Sequence, residues 1–257
     1  MKTEDITFLN DRGVRLEGRL HHPDGASRGG VVFCHGLFSS KDAYKIVNLT
    51  GDIAAAGFTL LTFDFSFVAG MPGSFLDFSI YQEVRDLGSA ASFLLGSGVS
   101  SLHLIGSSMG GLVALLFAAS RQEFLRSLTL IATPVDLSRL LGALSGKIDF
   151  KDLPKAGTTT IDGIPIHNEF FHEALSLDMQ SAMRSVAVPA LVIHGARDAV
   201  VDVENARHLK DSLITENKVI IVPDGDHNLT REEDIRMLKS VIIPWISTHE
   251  NNGVLGR

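Results

Sequence analysis

The residues with the clearest chemical potential are Gly106-Ser107-Ser108-Met109-Gly110, which read G-x-S-x-G. A strand-like run at 101–105 precedes them, and a helix-forming run at 112–119 follows. A serine between a strand and a helix, with glycines two positions away on each side, is typical of a nucleophile elbow. This sharp turn exposes the hydroxyl at the carboxyl end of a sheet, and the glycines prevent side-chain collisions there. The pattern therefore predicts that Ser108 is a nucleophile.

A serine hydroxyl is a poor nucleophile at neutral pH, so it needs a base within reach and an acid that orients the base. Asp198 lies four residues beyond the strand-like run 190–194, and His227 lies five residues beyond the run 218–222. Of the ten histidines, only His227 occupies a loop at the right end of the last strand. We predict that His227 is the base and Asp198 the acid. The competing acids, which also suit helix caps or turns, are Asp202, Asp224 and Asp226.

Acyl transfer also requires hydrogen-bond donors for the oxyanion of the tetrahedral intermediate. The N–H that directly follows the nucleophile belongs to Met109. A second N–H is expected from Leu37, in the loop that follows the strand-like run 30–34. In the same loop, His35 is expected to brace the backbone rather than to act as a second base.

The elements that must position these residues alternate between strand-like and helix-like segments from about residue 30 onward. Alternation of this kind predicts an α/β fold, with a mostly parallel twisted sheet and helices on both faces. Before it, residues 6–9 and 14–20 predict an antiparallel hairpin at the sheet edge. Helices are predicted over 41–56 and 79–95, and further strands over 58–64 and 128–132.

The alternation of strand-like and helix-like segments is interrupted at residues 134–187. This interruption predicts a cap inserted into a core formed by 1–133 and 188–257. Asp162-Gly163 predicts a hairpin turn, and 168–177 a helix. Adjacent phenylalanines cannot both project from one helix face, so one ring is expected in the core of the cap and the other in the pocket. The predicted substrate-binding residues are Phe38, His167, Phe170 and Phe171.

Composition restricts the classes of function. The chain has 257 residues, 45% of them hydrophobic, with a net charge of −7 and one cysteine, Cys34. These values suit one large domain in a reducing compartment and argue against nucleic acid or membrane as partners. With no visible signal peptide, we expect a cytoplasmic protein. No metal-ligand or cofactor motif is present, so no cofactor or metal is expected. A small-molecule ester substrate is expected, and a homodimer is left open.

The site motifs, taken together, resemble those of the α/β-hydrolase superfamily, including the chain order Ser108, Asp198, His227. They are especially similar to small bacterial esterases of the serine aminopeptidase-like group, which includes cinnamoyl and feruloyl esterases. The resemblance covers about residues 28–248 and implies an α/β-hydrolase fold. A loop starting at Asp64, with Gly70 and Ser74, resembles the D-x-x-G-x-G-x-S loop of this group, but residues 65–69 depart from it.

The function expected from these residues and this resemblance is a serine carboxylic ester hydrolase that forms an acyl-enzyme. An apolar, partly aromatic pocket would favour short-chain or aryl, cinnamoyl-like esters. A peptidase or amidase is the alternative if Glu169 and Glu173 anchor a peptide amine. A thioesterase or a monoacylglycerol lipase is also compatible with the motifs. A non-enzymatic binding module is a different class, which the intact Ser, His and Asp set argues against.

Overall fold

The computed structural model describes residues 1–67, 78–145, 152–161 and 163–252. Within them lie ten strands: β1 (Lys2–Leu9), β2 (Arg15–His22), β3 (Gly29–Cys34), β4 (Phe58–Phe63), β5 (Leu102–Ser107), β6 (Leu125–Ile131), β7 (Thr158–Ile161), β8 (Ile164–His167), β9 (Ala190–Gly195) and β10 (Asn217–Val222). The helices in the same ranges are α1 (Tyr44–Ala55), α2 (Ile80–Gly96), α3 (Met109–Ser120), α4 (Leu137–Ser145), α5 (Asn168–Ser176), α6 (Met179–Ser185), α7 (Glu204–Ser212) and α8 (Glu232–Asn252).

Eight of these strands form one sheet in the order β1-β2-β4-β3-β5-β6-β9-β10. Strand β2 pairs antiparallel with both β1 and β4, and every pair from β4 to β10 is parallel. The prediction of a mostly parallel sheet with an antiparallel edge hairpin is confirmed. Because the parallel strands all point the same way, the loops that follow β3, β5, β9 and β10 meet at one edge.

Alternate residues of the parallel strands serve two separate apolar cores, because successive side chains point to opposite faces of a sheet. Val32 and Leu104 pack with residues of α2, α3, α6 and α7 on one face. Val31 and Ile105 pack with residues of α1 and α8 on the other face. Helices therefore cover both faces, and the sheet edge that carries the loops stays accessible.

Helix α1 begins at Tyr44, three residues after its predicted start at position 41. The reason lies at the end of β4, where the Asp64 carboxylate accepts hydrogen bonds from both the backbone N–H and the ammonium of Lys41, each at 2.6 Å. These bonds hold the preceding turn against the sheet edge. The turn therefore delivers the first residues of α1 to the carboxyl end of β3.

The segment predicted as a cap contains α4, the hairpin β7–β8, α5 and α6. The predicted hairpin is confirmed, since Ile161 pairs with Ile164 in antiparallel register; Asp162 itself lies outside the described residues. Helix α5 packs against α2 and α4, whereas α6, which the sequence pattern did not predict, packs against α3 and α7. No helix in the described ranges is long and apolar enough to cross a membrane.

Candidate active site

The turn between β5 and α3 has the geometry of a nucleophile elbow. Ser108 has φ 54° and ψ −122°, a left-handed backbone conformation that a non-glycine residue rarely adopts. Its N–H donates to the carbonyl of Ile131 on the neighbouring strand at 2.8 Å, which secures the strained residue. A Cβ on Gly110 would lie 2.1 Å from the carbonyl oxygen of Cys34, so only glycine permits α3 to approach β3 this closely.

Three side chains from three loops form a hydrogen-bonded series at the sheet edge. Nε2 of His227 lies 3.0 Å from Oγ of Ser108, and Nδ1 lies 2.8 Å from Oδ2 of Asp198. An ionised carboxylate can only accept hydrogen bonds, so Nδ1 carries the proton and Nε2 is left to accept one from the serine hydroxyl. The structure thus brings together all three residues predicted as nucleophile, base and acid.

The Asp198 carboxylate has every partner needed to stay ionised. Its Oδ1 accepts the N–H groups of Val200 at 2.9 Å and Val201 at 2.8 Å, and Oδ2 faces His194 Nε2 at 3.3 Å as well as His227. Burial alone would raise the pKa of Asp198. The hydrogen bonds from His194, His227 and Val201 outweigh burial and hold the pKa well below its usual range. His194, a fully buried residue of β9, therefore helps to keep the Asp198 carboxylate ionised.

The other candidate acids are engaged elsewhere. Asp202 forms an ion pair with Arg139, and Asp224 forms one with Arg197 at 2.7 Å. The carboxylate of Asp226 accepts two backbone N–H groups of its own turn, at 3.0 and 2.8 Å. Asp202, which also accepts the N–H of Glu204 at 2.8 Å, and Asp226 therefore have the cap and turn roles that were open as alternatives, and Asp224 is held by its ion pair.

The two N–H groups predicted for the oxyanion lie on either side of Ser108. Met109 begins α3, and neither its N–H nor that of Leu37 donates to an acceptor among the described residues. A Cβ added to Gly36 would lie 3.2 Å from Cβ of Ser108, which places the Leu37 loop directly beside the elbow. N–H donors at a helix N-terminus and in a loop beside the nucleophile are the kind of group that can stabilise a developing negative charge.

His35 braces this loop as predicted. Its Nδ1 donates to the carbonyl of Gly36 at 2.8 Å, and its Nε2 accepts the N–H of Phe65 at 3.2 Å. Burial lowers the pKa of His35, so the ring is neutral and can accept through Nε2. The ring therefore ties the Leu37 loop to the backbone that follows β4.

A cavity of about 220 Å³ opens beside Ser108. Its lining includes Leu37, Ser108 and His227, together with Ser107 and the lysine Lys45 of α1. The sequence analysis missed Lys45. The signal was available, because Lys45 lies four residues before Leu49 and therefore on the apolar stripe of an amphipathic helix.

A larger cavity of about 630 Å³ lies between α2 and α5, and no residue of its lining is shared with the Ser108 cavity. Two of the predicted substrate-binding residues, His167 and Phe170, line this larger cavity. Phe171 is only 1% exposed, and Phe38 is 41% exposed without lining the Ser108 cavity.

The expectation that one ring of the Phe170–Phe171 pair projects into the Ser108 cavity is therefore not met in the described structure. Helix α5 is fixed to α2 instead. Phe170 packs on Phe78 with ring centroids 4.6 Å apart, and Glu173 accepts hydrogen bonds from Ser79 Oγ and Tyr81 N–H. These contacts turn the aromatic pair toward α2 and use the Glu173 carboxylate that an amidase would need for a peptide amine.

With the fold and the geometry in place, the class of protein is clear. A family model for the alpha/beta hydrolase fold matches residues 30–171, more than half of the chain. The chain therefore belongs to the alpha/beta hydrolase family. The resemblance on which the sequence analysis relied is confirmed.

Among known relatives, the chain is similar to the mitochondrial palmitoyl-protein thioesterase ABHD10 of Mus musculus, with 25% identity over 81% of this chain and 72% of the relative. The human protein of the same name is 23% identical over 81% of this chain and 70% of the relative. Among solved structures, Est1E from Butyrivibrio proteoclasticus with ferulic acid bound superposes with a TM-score of 0.84 at 17% identity, over 95% of this chain and 98% of that one. The chain is thus similar in sequence to proteins named palmitoyl-protein thioesterases, and in fold to a protein that binds ferulic acid.

Proposed function

We propose that this protein is a serine hydrolase that cleaves carboxylic esters through an acyl-enzyme. The observation that supports this most directly is His227, which lies 3.0 Å from the Ser108 hydroxyl and 2.8 Å from the Asp198 carboxylate. In that position an imidazole can take the proton of the serine as the serine attacks a carbonyl carbon.

The proposed reaction has two halves. Ser108 Oγ attacks the ester carbonyl while Nε2 of His227 takes its proton, and the oxyanion forms at the N–H groups of Leu37 and Met109. His227 then protonates the departing alkoxide, leaving the acyl group on Ser108. Water, deprotonated by His227, attacks the acyl-enzyme and releases the acid. Throughout, Asp198 keeps the proton on Nδ1 and stabilises the imidazolium that forms.

The size of the Ser108 cavity favours a small acyl group. A volume of about 220 Å³ holds roughly seven water molecules at about 30 Å³ each, which suits a short acyl chain or one aryl ring. A sixteen-carbon acyl chain would have to extend beyond the lining residues. Short-chain and aryl esters are therefore the first substrates to test.

A thioesterase is the second candidate, because the mammalian relatives named palmitoyl-protein thioesterases align over 81% of this chain. The same triad serves thioesters, and a thiolate leaves with less help from protonation. The cytoplasm stays the predicted compartment, although those relatives are named mitochondrial. A homodimer likewise stays open.

The decisive experiment is covalent labelling. A fluorophosphonate should modify Ser108, as identified by mass spectrometry, and should abolish hydrolysis of p-nitrophenyl acetate. A panel of p-nitrophenyl esters, feruloyl esters, acyl thioesters and aminoacyl amides then ranks the substrate classes by kcat/KM. An unlabelled Ser108 in folded protein would contradict the proposal and favour a binding module.

A further inference from the structure

Lys45 is a buried cation in the wall of the Ser108 cavity. Only 8% of the residue is exposed, and its ammonium donates to Oγ of Ser107 at 3.0 Å. Ser107 directly precedes Ser108 in the elbow, and all three residues line the same cavity. The positive charge is therefore built into the wall next to the nucleophile.

The ammonium has hydrogen-bonding capacity left over. A lysine has three N–H donors, and in the described ranges the Ser107 hydroxyl is the only partner recorded for Lys45, with no carboxylate within 4.0 Å of Nζ. Its neighbour Lys41 behaves differently. The Lys41 ammonium lies 2.6 Å from Asp64 and 3.7 Å from Glu17, and its pKa is raised. Two lysines four residues apart thus differ: Lys41 is paired with carboxylates, whereas Lys45 has no carboxylate within 4.0 Å in the described ranges.

Burial of this charge is costly, and the structure only partly offsets the cost. Desolvation lowers the pKa of Lys45 to about 8, even though the charges of Asp198, Asp226 and Asp234 favour the protonated form from a greater distance. At neutral pH the ammonium therefore still carries its proton. A buried cation with unused donors beside a reactive serine can bind an anion that enters the cavity.

We propose that Lys45 recognises a carboxylate carried by the substrate, so that the preferred substrates are small esters with a carboxylate close to the scissile bond. Polar groups of Ser39, Asn228 and Thr230 line the same cavity. This inference rests on the proposed function, because it names the substrate class of the Ser108 site. The carboxylate can belong to the acyl part or to the alcohol part of the ester, and the two cases are separable by experiment.

The test compares ester pairs that differ only in charge. Monomethyl succinate against methyl succinamate places the carboxylate or its neutral amide on the acyl side. The acetyl ester of glycolate against that of glycolamide places it on the alcohol side. Wild-type protein should prefer the charged member of one pair by tenfold or more in kcat/KM, and that pair identifies the side.

The variant Lys45→Met keeps an unbranched apolar stem and removes the charge. It should lower kcat/KM for the preferred carboxylate ester at least tenfold more than it lowers kcat/KM for the amide partner. Lys239→Met removes the same formal charge from a lysine that pairs with Asp52 at 2.9 Å on the surface, away from the cavity, and should change neither value. Equal losses on both members of the pair in Lys45→Met would overturn the proposal and make Lys45 a packing residue.

A second measurement does not depend on the variant folding. Succinate should inhibit hydrolysis of a neutral ester by wild-type protein competitively, and at least tenfold more strongly than succinamide. Absence of both the ester preference and this inhibition, in protein whose Ser108 reacts with fluorophosphonate, would overturn the carboxylate site while leaving the serine hydrolase intact. Absence of labelling at Ser108 would instead contradict the proposed serine hydrolase function itself.

Discussion

Two cavities of this protein differ in size and in the chemistry of their lining, and the smaller one has the more reactive lining. The cavity between α2 and α5 has about three times the volume of the one beside Ser108, about 630 against 220 Å³. Yet three of its polar side chains are engaged in local structural hydrogen bonds. His167 caps α5, Nε2 of His172 donates to the carbonyl of Leu153, and Glu173 caps α2.

The smaller cavity has the reverse character. Ser108 and His227 meet there at hydrogen-bonding distance, and Lys45 carries a charge that no neighbouring carboxylate neutralises in the described structure. The difference teaches that reactive geometry is a better guide to function than open volume. Strand-end loops are held by the sheet and can keep three side chains at hydrogen-bonding distance, whereas the cavity between α2 and α5 is lined mainly by residues of helices and their ends.

The sharpest contrast between the cavities should come from Ser108→Ala. Removing the nucleophile should lower kcat/KM for p-nitrophenyl acetate by about 10⁴-fold or more, with residual activity from the oxyanion donors. Ser107→Ala is the matched control, since it changes the adjacent hydroxyl and should lose far less. If the Ser107 variant is inactive and the Ser108 variant is not, the elbow has been misassigned by one residue.

Asp198→Asn should rank second. An amide in place of the carboxylate favours the wrong tautomer of His227, so kcat should fall by roughly 10³- to 10⁴-fold while KM changes little. Asp202→Asn, a control that removes only the ion pair with Arg139, should stay within about threefold of wild type. Steady-state kinetics of both variants decide this. The reverse order would move the acid to Asp202.

The charge preference should also depend on pH. Lys45 loses its proton as pH rises through about 8, so the kcat/KM ratio of carboxylate to amide ester should fall about tenfold between pH 7 and 9. Taking the ratio cancels any effect of pH on the steps that both substrates share, and the other charges acting on Lys45 come from Asp198, Asp226 and Asp234. A ratio that is flat across this range would exclude Lys45 as the recognising group.

We expect the Lys45 ammonium to lower the free energy of unfolding, although the same group is proposed to aid substrate binding. Its folded pKa of about 8 lies below the ordinary 10.5, so the unfolded chain binds more protons and the free energy of unfolding rises with pH between these values. At pH 7, Lys45→Met should be more stable by up to about 3 kcal/mol. Urea unfolding at pH 7 and 10 tests this. A variant less stable at pH 7 would show that the ammonium is a net stabilising group.

The smallest effects on catalysis should come from the cap. Phe170→Ala and Phe171→Ala each remove a buried ring and should destabilise the protein by about 3–5 kcal/mol. Because neither ring lines the Ser108 cavity, kcat/KM for feruloyl and acetyl esters should stay within about threefold of wild type at a temperature where the variants are folded. A selective rise in KM for the feruloyl ester would show that these rings contact the substrate.

The sequence by itself determined the fold class and the positions of Ser108, Asp198 and His227. The reason is physical: strand-like runs are visible locally, and parallel strands must bring their following loops to one edge. The G-x-S-x-G turn could also be recognised from the sequence, because its strained backbone needs glycines two residues before and two residues after the serine.

Only the tertiary structure decided which side chains surround those three. Lys45 and Ser107 are 62 residues apart in the chain, and no local pattern shows that the charge of α1 meets the elbow. The second histidine on Asp198, the docking of α6 on α3 and the orientation of Phe170 toward Phe78 are of the same kind. Each depends on how distant elements pack, and packing is settled by the shapes and partners of the whole fold rather than by the periodicity of one segment.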